Sequence, residues 1–307
     1  MEFAHIPVLP RETIEQLRIL PRGVYVDCTA GGGGHSALIL KQLSGGVLID
    51  IDRDPEAISA LRTRFDGREN VRIVQDEFWN IESVLAEQGF DGADGILADL
   101  GVSSHQLDTA ERGFSFHADA PLDMRMSMSG TTAADVVNTY SKPALQRILY
   151  NYGEEKFAPA IAAAIVRQRE QSPIETTLQL AEIVKNAVPA KARRDGHPAR
   201  KTFQALRIEV NGELEKLDEA VQSMFRALHV GGRLCIITFH SLEDRIVKKR
   251  FASLCTGCTC PADFPVCVCG KTPEGMLPTK AIAPSAQEIE KNNRSRSAKL
   301  RVIEKIK

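Results

Sequence analysis

The chain has 307 residues, room for one large domain or two moderate ones, and its 43% apolar and 26% charged content is that of a globular protein. A formal net charge of -1 excludes nucleic-acid affinity from global charge, so only clustered basic residues can supply it. No apolar run approaches the ~20 residues that span a bilayer, and residues 1–18 carry charges where a signal peptide would have its apolar centre; the expected location is the cytoplasm.

Up to Leu107 the pattern alternates strand and helix. Strands are predicted at 24–27, 47–51, 71–75 and 95–99, and helices at 35–43, 55–65 and 81–88, the second opening with Asp54-Pro55 as N-cap and first helical residue. This spacing argues for a parallel sheet with helices on both faces. Between the first strand and helix lie four consecutive glycines, Gly31 to Gly34. A residue without a Cβ admits positive φ and close approach of a ligand to the backbone, and the helix start that follows offers unpaired N–H groups. The second strand ends in Asp50 and Asp52, about twenty residues on, where a nucleotide fold places a carboxylate on ribose hydroxyls. A nucleoside-containing cofactor is expected.

Two cofactor readings compete. Gly32, Gly34 and Ala37 formally satisfy a dinucleotide fingerprint. Asp27 ends the first strand, however, and Cys28-Thr29-Ala30 delay the glycine turn. A mixed site of Asp27 and glycine N–H groups suits the carboxylate and ammonium of S-adenosylmethionine better than a pyrophosphate. The third strand then runs into Asp76, Glu77 and Phe78, where a carboxylate would accept from an adenine amine and Phe78 would pack on the ring; a helix cap is the plainer reading of Asp76 alone.

After Leu107 the alternation stops for about a hundred residues of helical spacing, with helices at 143–150, 157–169, 177–187 and a long one at 203–228, before a fifth strand at 232–239. The middle reads as a helical insertion between the fourth and fifth strands.

The fourth strand ends in Asp99-Leu100-Gly101-Val102-Ser103-Ser104-His105-Gln106-Leu107-Asp108, at the edge where open α/β sheets place their chemistry. This string, with Arg112-Gly113-Phe114-Ser115-Phe116 and Pro121-Leu122-Asp123-Met124-Arg125-Met126, closely resembles the RsmH (MraW) family, cytosine N4-methyltransferases of ribosomal RNA in the bacterial small subunit. The likeness spans nearly the whole chain, through His5-Ile6-Pro7-Val8-Leu9, Tyr152-Gly153-Glu154-Glu155, Thr202-Phe203-Gln204-Ala205-Leu206-Arg207-Ile208, Phe239-His240-Ser241-Leu242-Glu243-Asp244-Arg245 and Arg294-Ser295-Arg296-Ser297-Ala298-Lys299-Leu300-Arg301. It departs at Arg200-Lys201, where the family commonly has Thr-Arg, and at Asn293, where Pro is usual.

The resemblance implies an α/β fold, a Rossmann-like S-adenosylmethionine-dependent methyltransferase sheet with an inserted helical domain. Residues 1–110 and 203–307 would form the discontinuous cofactor-binding domain and residues 111–202 the substrate-recognition insertion. It implies cofactor contacts at Gly33, Gly34, His35, Asp52, Phe78, Asp99 and Gln106, with Phe78 taking precedence over Asp76. The partner it implies is 16S ribosomal RNA in the small subunit, with no membrane and no obligate protein partner. An exocyclic amine is a poor nucleophile because its lone pair is delocalised into the ring; a carboxylate accepting its hydrogen bonds localises that pair. Asp99 is the candidate catalytic residue, with pure cofactor binding as its rival role. His240 and Ser241, just past the fifth strand, are candidate pocket walls, with a helix cap by Ser241 as the alternative. The rival DNA N-methyltransferases carry Asp-Pro-Pro-Tyr or Asn-Pro-Pro-Tyr at the fourth strand; a cofactor-binding assembly factor without turnover is the non-enzymatic rival.

Three basic clusters suggest a phosphate-tracking surface: Lys191, Arg193, Arg194, Arg200 and Lys201; Arg245, Lys248, Lys249 and Arg250; and Arg294, Arg296, Lys299 and Arg301. Of seven cysteines, Cys28 and Cys235 read as buried strand residues, whereas Cys255, Cys258, Cys260, Cys267 and Cys269 crowd into one segment. In a reducing compartment such crowding favours metal over disulfide. Four of the five would complete one tetrahedral structural zinc, against free thiols as the alternative; some family members lack the segment, so the shared chemistry does not need it.

Overall fold

The structure, a computed structural model, describes residues 7–191, 197–260, 266 and 268–307. His5, Arg193, Arg194 and Cys267 therefore lie outside the described residues. The apolar runs of the sequence become strands β1 (Val24–Asp27), β2 (Val47–Asp52), β3 (Val71–Gln75), β4 (Ala93–Asp99) and β5 (Leu228–Thr238), joined by β6 (Gly275–Met276) and β7 (Lys299–Lys305). They form one seven-stranded sheet in the order β3-β2-β1-β4-β5-β7-β6. The pairs among β1 to β5 are parallel, and β7 runs antiparallel to β5 and β6.

Side-chain alternation along the strands divides the core between the two faces. Val26, Ile49, Ile96, Leu234 and Ile236 join one buried cluster, which includes Val84, Val221, Phe225 and Phe251 from helices. Their neighbours Tyr25, Leu48, Leu97, Cys235 and Ile237 join the other, with Leu17 and Ile39. Each of the five predicted strands is found; β5 begins four residues earlier, and a register shift against Ala93–Gly95 takes up the extra residues.

The chain divides into two compact units, Met1–Gly101 with Leu214–Lys307, and Val102–Glu213. The second is helical: Ala133–Thr139, Lys142–Gly153, Ala158–Arg169, Thr177–Ala187 and Arg200–Asn211. Its core holds Leu145, Ile161, Ile165, Leu180, Val184 and Leu206. Phe203 and Ala205 lie in that core as well, so the unit extends to Glu213 where the sequence reading ended the insertion at 202.

One expected element is corrected. The single helix at 203–228 is two helices, Arg200–Asn211 and Leu217–Arg226. The break falls at Gly212, whose left-handed φ of 59° caps the first of them. Glycine takes that C-terminal position without the steric penalty a Cβ would bring.

Candidate active site

The order of the sheet reverses direction at the β1–β4 pair, with β2 and β3 on one side and β5 on the other. In open α/β sheets the ligand crevice forms outside the carboxyl ends of the strands at such a point. Asp27 and Asp99 end those two strands. The backbone N–H of Asp99 donates to Thr29 Oγ1 at 2.6 Å, and Cys28 N donates to Leu97 O at 2.8 Å, so the turn after β1 is pinned to the end of β4. Asp27 accepts from Thr29 N at 3.2 Å and from Ser36 Oγ at 2.9 Å.

The glycine turn is tied down from the other side. Gly31 N donates to Asp52 Oδ2 and Asp54 N to Asp52 Oδ1, both at 2.8 Å. Asp52 therefore couples the turn after β1 to the start of helix Pro55–Arg64. Burial raises its carboxyl to about 6, against the opposing pull of those two N–H donors. Gly33 is the N-cap of helix Gly34–Leu40 with φ 73°, and a Cβ there would stand 2.9 Å from both Leu61 and Phe65. Only glycine satisfies both the backbone and the packing.

Asp50, the other half of the acidic pair, is no ribose ligand. It is the register partner of Asp27, is fully buried, and neither of its oxygens has a hydrogen bond among the described residues. Burial, then the charge of Asp27, pushes its carboxyl well above the usual range.

His35 links the turn to Asp99. Its Nε2 lies 2.9 Å from Val8 O, and because a carbonyl only accepts, Nε2 is the donor. Nδ1 then faces Asp99 Oδ2 at 3.7 Å. Asp99 Oδ1 is buried with no hydrogen-bond partner among the described residues. Burial first, then Asp27 and Glu243, drive the Asp99 carboxyl well above its ordinary range. Glu243 is itself buried, accepting from Phe239 N at 2.9 Å and His240 N at 3.3 Å.

That arrangement corrects one expectation. The N-cap of helix Ser241–Leu254 is His240, in a capping box with Glu243, and Ser241 is the first helical residue. Asp76 has a local role, its Oδ1 accepting from Glu77 N at 2.7 Å and Asn80 Nδ2 at 2.8 Å. Phe78 opens a short 3-10 turn just past β3, its half-buried ring edge-to-face with Trp79 at 5.3 Å.

Asp27, Gly33, Gly34, His35, Asp52, Phe78 and Asp99 thus all belong to the sheet unit, at or just beyond the strand ends. Gln106 belongs to the helical unit, where it is buried in a capping box with Ser103. Sequence reasoning missed Thr29, Ser36 and Glu243 as supports. The glutamate three residues past a helix cap was the available signal for the last.

The basic clusters are only partly open to phosphate. Arg250 is paired with Asp218, while Arg301 and Lys299 share Asp244 at 2.7 and 3.2 Å. Lys201 donates to Glu154 O at 3.0 Å. Lys248, Lys249 and Arg296 are exposed. Among the described residues no helix is long and apolar enough to cross a membrane.

Known proteins extend this picture. A ribosomal RNA small subunit methyltransferase H from Clostridium botulinum (strain Kyoto / Type A2) is 57% identical over 100% of both chains. The protein of that name from Lachnospira eligens is 53% identical over 100% of this chain and 99% of its own. A crystal structure of an rRNA methylase from Streptococcus thermophilus aligns over 99% of this chain and 100% of that one, at 14% identity and a TM-score of 0.43, a likeness too slight to argue from. Residues 2–306 match one family from end to end, as the strings around Asp99 lead one to expect: the chain belongs to the MraW methylase family.

Proposed function

We propose that this methylase transfers the methyl group of S-adenosylmethionine to N4 of a cytidine in the 16S RNA of the small ribosomal subunit, in the cytoplasm. The name carried by its full-length relatives supports the substrate, and the family resemblance supports N4. The observation that carries the chemistry is Asp99 Oδ1, a buried carboxylate oxygen without a partner at the reversal of the sheet.

The residues fit the cofactor. Asp27 and Asp52 are acceptors suited to an ammonium and to ribose hydroxyls, and each keeps lone pairs beyond those used by Thr29, Ser36, Gly31 and Asp54. Beside Gly31 there is space, since a Cβ there would meet nothing nearer than Thr29 O at 3.9 Å. Phe78 offers a partly buried ring beyond β3 for the adenine. S-adenosylmethionine, when bound, supplies an electrophilic methyl on a sulfonium.

The protein's own task is to make the amine a better nucleophile. Asp99, once ionised, accepts an N–H of the exocyclic amine, localising its lone pair and taking up positive charge as the new bond forms. A carboxylate raised by burial is a stronger base than an exposed one. His35, fixed at Val8 O, sets its Nδ1 3.7 Å from Asp99 Oδ2. Methylation of an exocyclic amine needs no covalent cysteine adduct, so no thiol is given a part, and burial pushes the Cys28 thiol well above its usual range. A cytidine within structured RNA must leave its stack to reach such a site. Recognition of that RNA is assigned to the helical unit, whose Lys191 and Arg200 are exposed.

The test is incubation of the purified protein and methyl-labelled cofactor with small subunits from cells lacking this gene, followed by nucleoside mass spectrometry. Label in N4-methylcytidine is the expected result. Label at carbon 5, or cofactor binding with no transfer, overturns the reading, the second outcome in favour of an assembly factor.

A further inference from the structure

The segment between helix Ser241–Leu254 and β6 has no role in the reaction above. Its base is closed by Glu274 N donating to Leu254 O at 2.9 Å. Among its described residues, Val266 and Val268 are 69% and 74% exposed. Exposed apolar side chains do not order a loop, so order here needs another constraint among its described residues.

Its thiols provide one. The sulfurs of Cys258, Cys260 and Cys269 all lie within 4.8 Å of one another, and Cys258 and Cys269 approach to 3.7 Å. A disulfide requires about 2.0 Å, and this pair is not bridged. In a tetrahedral zinc thiolate with Zn–S of about 2.3 Å, two sulfurs stand about 3.8 Å apart. The observed pair is therefore already spaced as one edge of such a tetrahedron. Backbone N–H groups of Val268 and Cys269 donate to Cys260 Sγ and fix its position.

We propose that Cys258, Cys260 and Cys269 bind a structural zinc ion that staples this segment to the end of helix Ser241–Leu254. Cys255, the C-cap of that helix, stands with Cys258 in the Cys-x-x-Cys spacing of structural zinc sites but is not grouped with the three sulfurs in the structure, so it would have to move to supply the fourth ligand. Binding exchanges thiol protons for the metal, with no change in oxidation state. The proposal is independent of the methyl-transfer reading, because none of these residues lies at the strand ends.

Zinc and iron are measured by mass spectrometry in the full-length protein, purified under reducing conditions without chelator. About one zinc per chain is expected, and iron in its place, or a Cys258–Cys269 disulfide without metal, overturns the proposal. The triple variant Cys258→Ser, Cys260→Ser, Cys269→Ser should lose the zinc; a folded variant that retains it contradicts the assignment. Should the variant not fold, alkylation mapping of the wild type decides. The three thiols should resist iodoacetamide until a strong chelator is added, and immediate alkylation of all three would refute the site.

Discussion

The two units of the chain treat buried charge in opposite ways. In the helical unit each buried ionisable side chain is matched to backbone. Arg112 donates to Arg125 O at 2.9 Å and Met126 O at 3.0 Å, and Glu155 accepts from Phe157 N at 2.8 Å. The one orphan there among the described residues is an uncharged hydroxyl, Thr202 Oγ1. In the sheet unit both oxygens of Asp50 and one of Asp99 are buried without partners, beside Asp27 and Asp52. An unmatched buried carboxyl costs stability, and a fold carries several in one place only where something else uses them. On the proposed function, the strand ends of the sheet unit are where the cofactor would use them.

Substitutions can break or sharpen that contrast. The largest effect among binding and stability is expected for Asp52→Ala, which frees the N–H groups of Gly31 and Asp54. Affinity for S-adenosylhomocysteine by calorimetry should fall roughly 10- to 100-fold, about 1.4–2.8 kcal/mol. Unchanged affinity would remove Asp52 from the cofactor site. Next comes Arg112→Met, which strands two buried carbonyls and should lower stability by about 2 kcal/mol in denaturant unfolding. Cofactor affinity should be unaffected, and a parallel loss of binding would undo the division of labour.

A smaller effect, of opposite sign, belongs to Asp50→Asn. The folded-state carboxyl titrates above its unfolded value, so its contribution is fully present at acid pH and is lost as pH rises through the folded value. Asparagine keeps the neutral form at every pH. The variant should melt higher than wild type at pH 8 and scarcely differ at pH 4. A lower melting temperature at pH 8 would mean that ionised Asp50 supports the fold.

The strands were legible because parallel strands buried on both faces read as unbroken apolar runs, as at 47–51 and 95–99. Helix Thr177–Ala187 was legible to its end residues, framed by a Thr176–Gln179 capping box. The break at Gly212 was hidden because apolar spacing continues across it into the next helix, although the helices belong to different units. The roles of Asp50 and Asp52 were hidden for another reason. Two residues apart, they share a strand face, and only register shows that Asp50 lies level with Asp27 inside the sheet while Asp52 reaches past it. Capping preferences favour Ser over His at a helix start, which concealed His240 as the cap. The strings around Asp99 carried the family and the acceptor class, but they could not show that one oxygen of that carboxylate is left open.

The account rests on Asp99 as the acceptor for the amine, and a single-turnover measurement of methyl transfer to small subunits at saturating cofactor, across pH, tests it most directly. Wild type should speed up as pH rises through the elevated range in which Asp99 loses its proton. Asp99→Asn should be slower by about 10²- to 10³-fold and should lose that rise. A variant that transfers at the wild-type rate with the same pH profile would contradict the account.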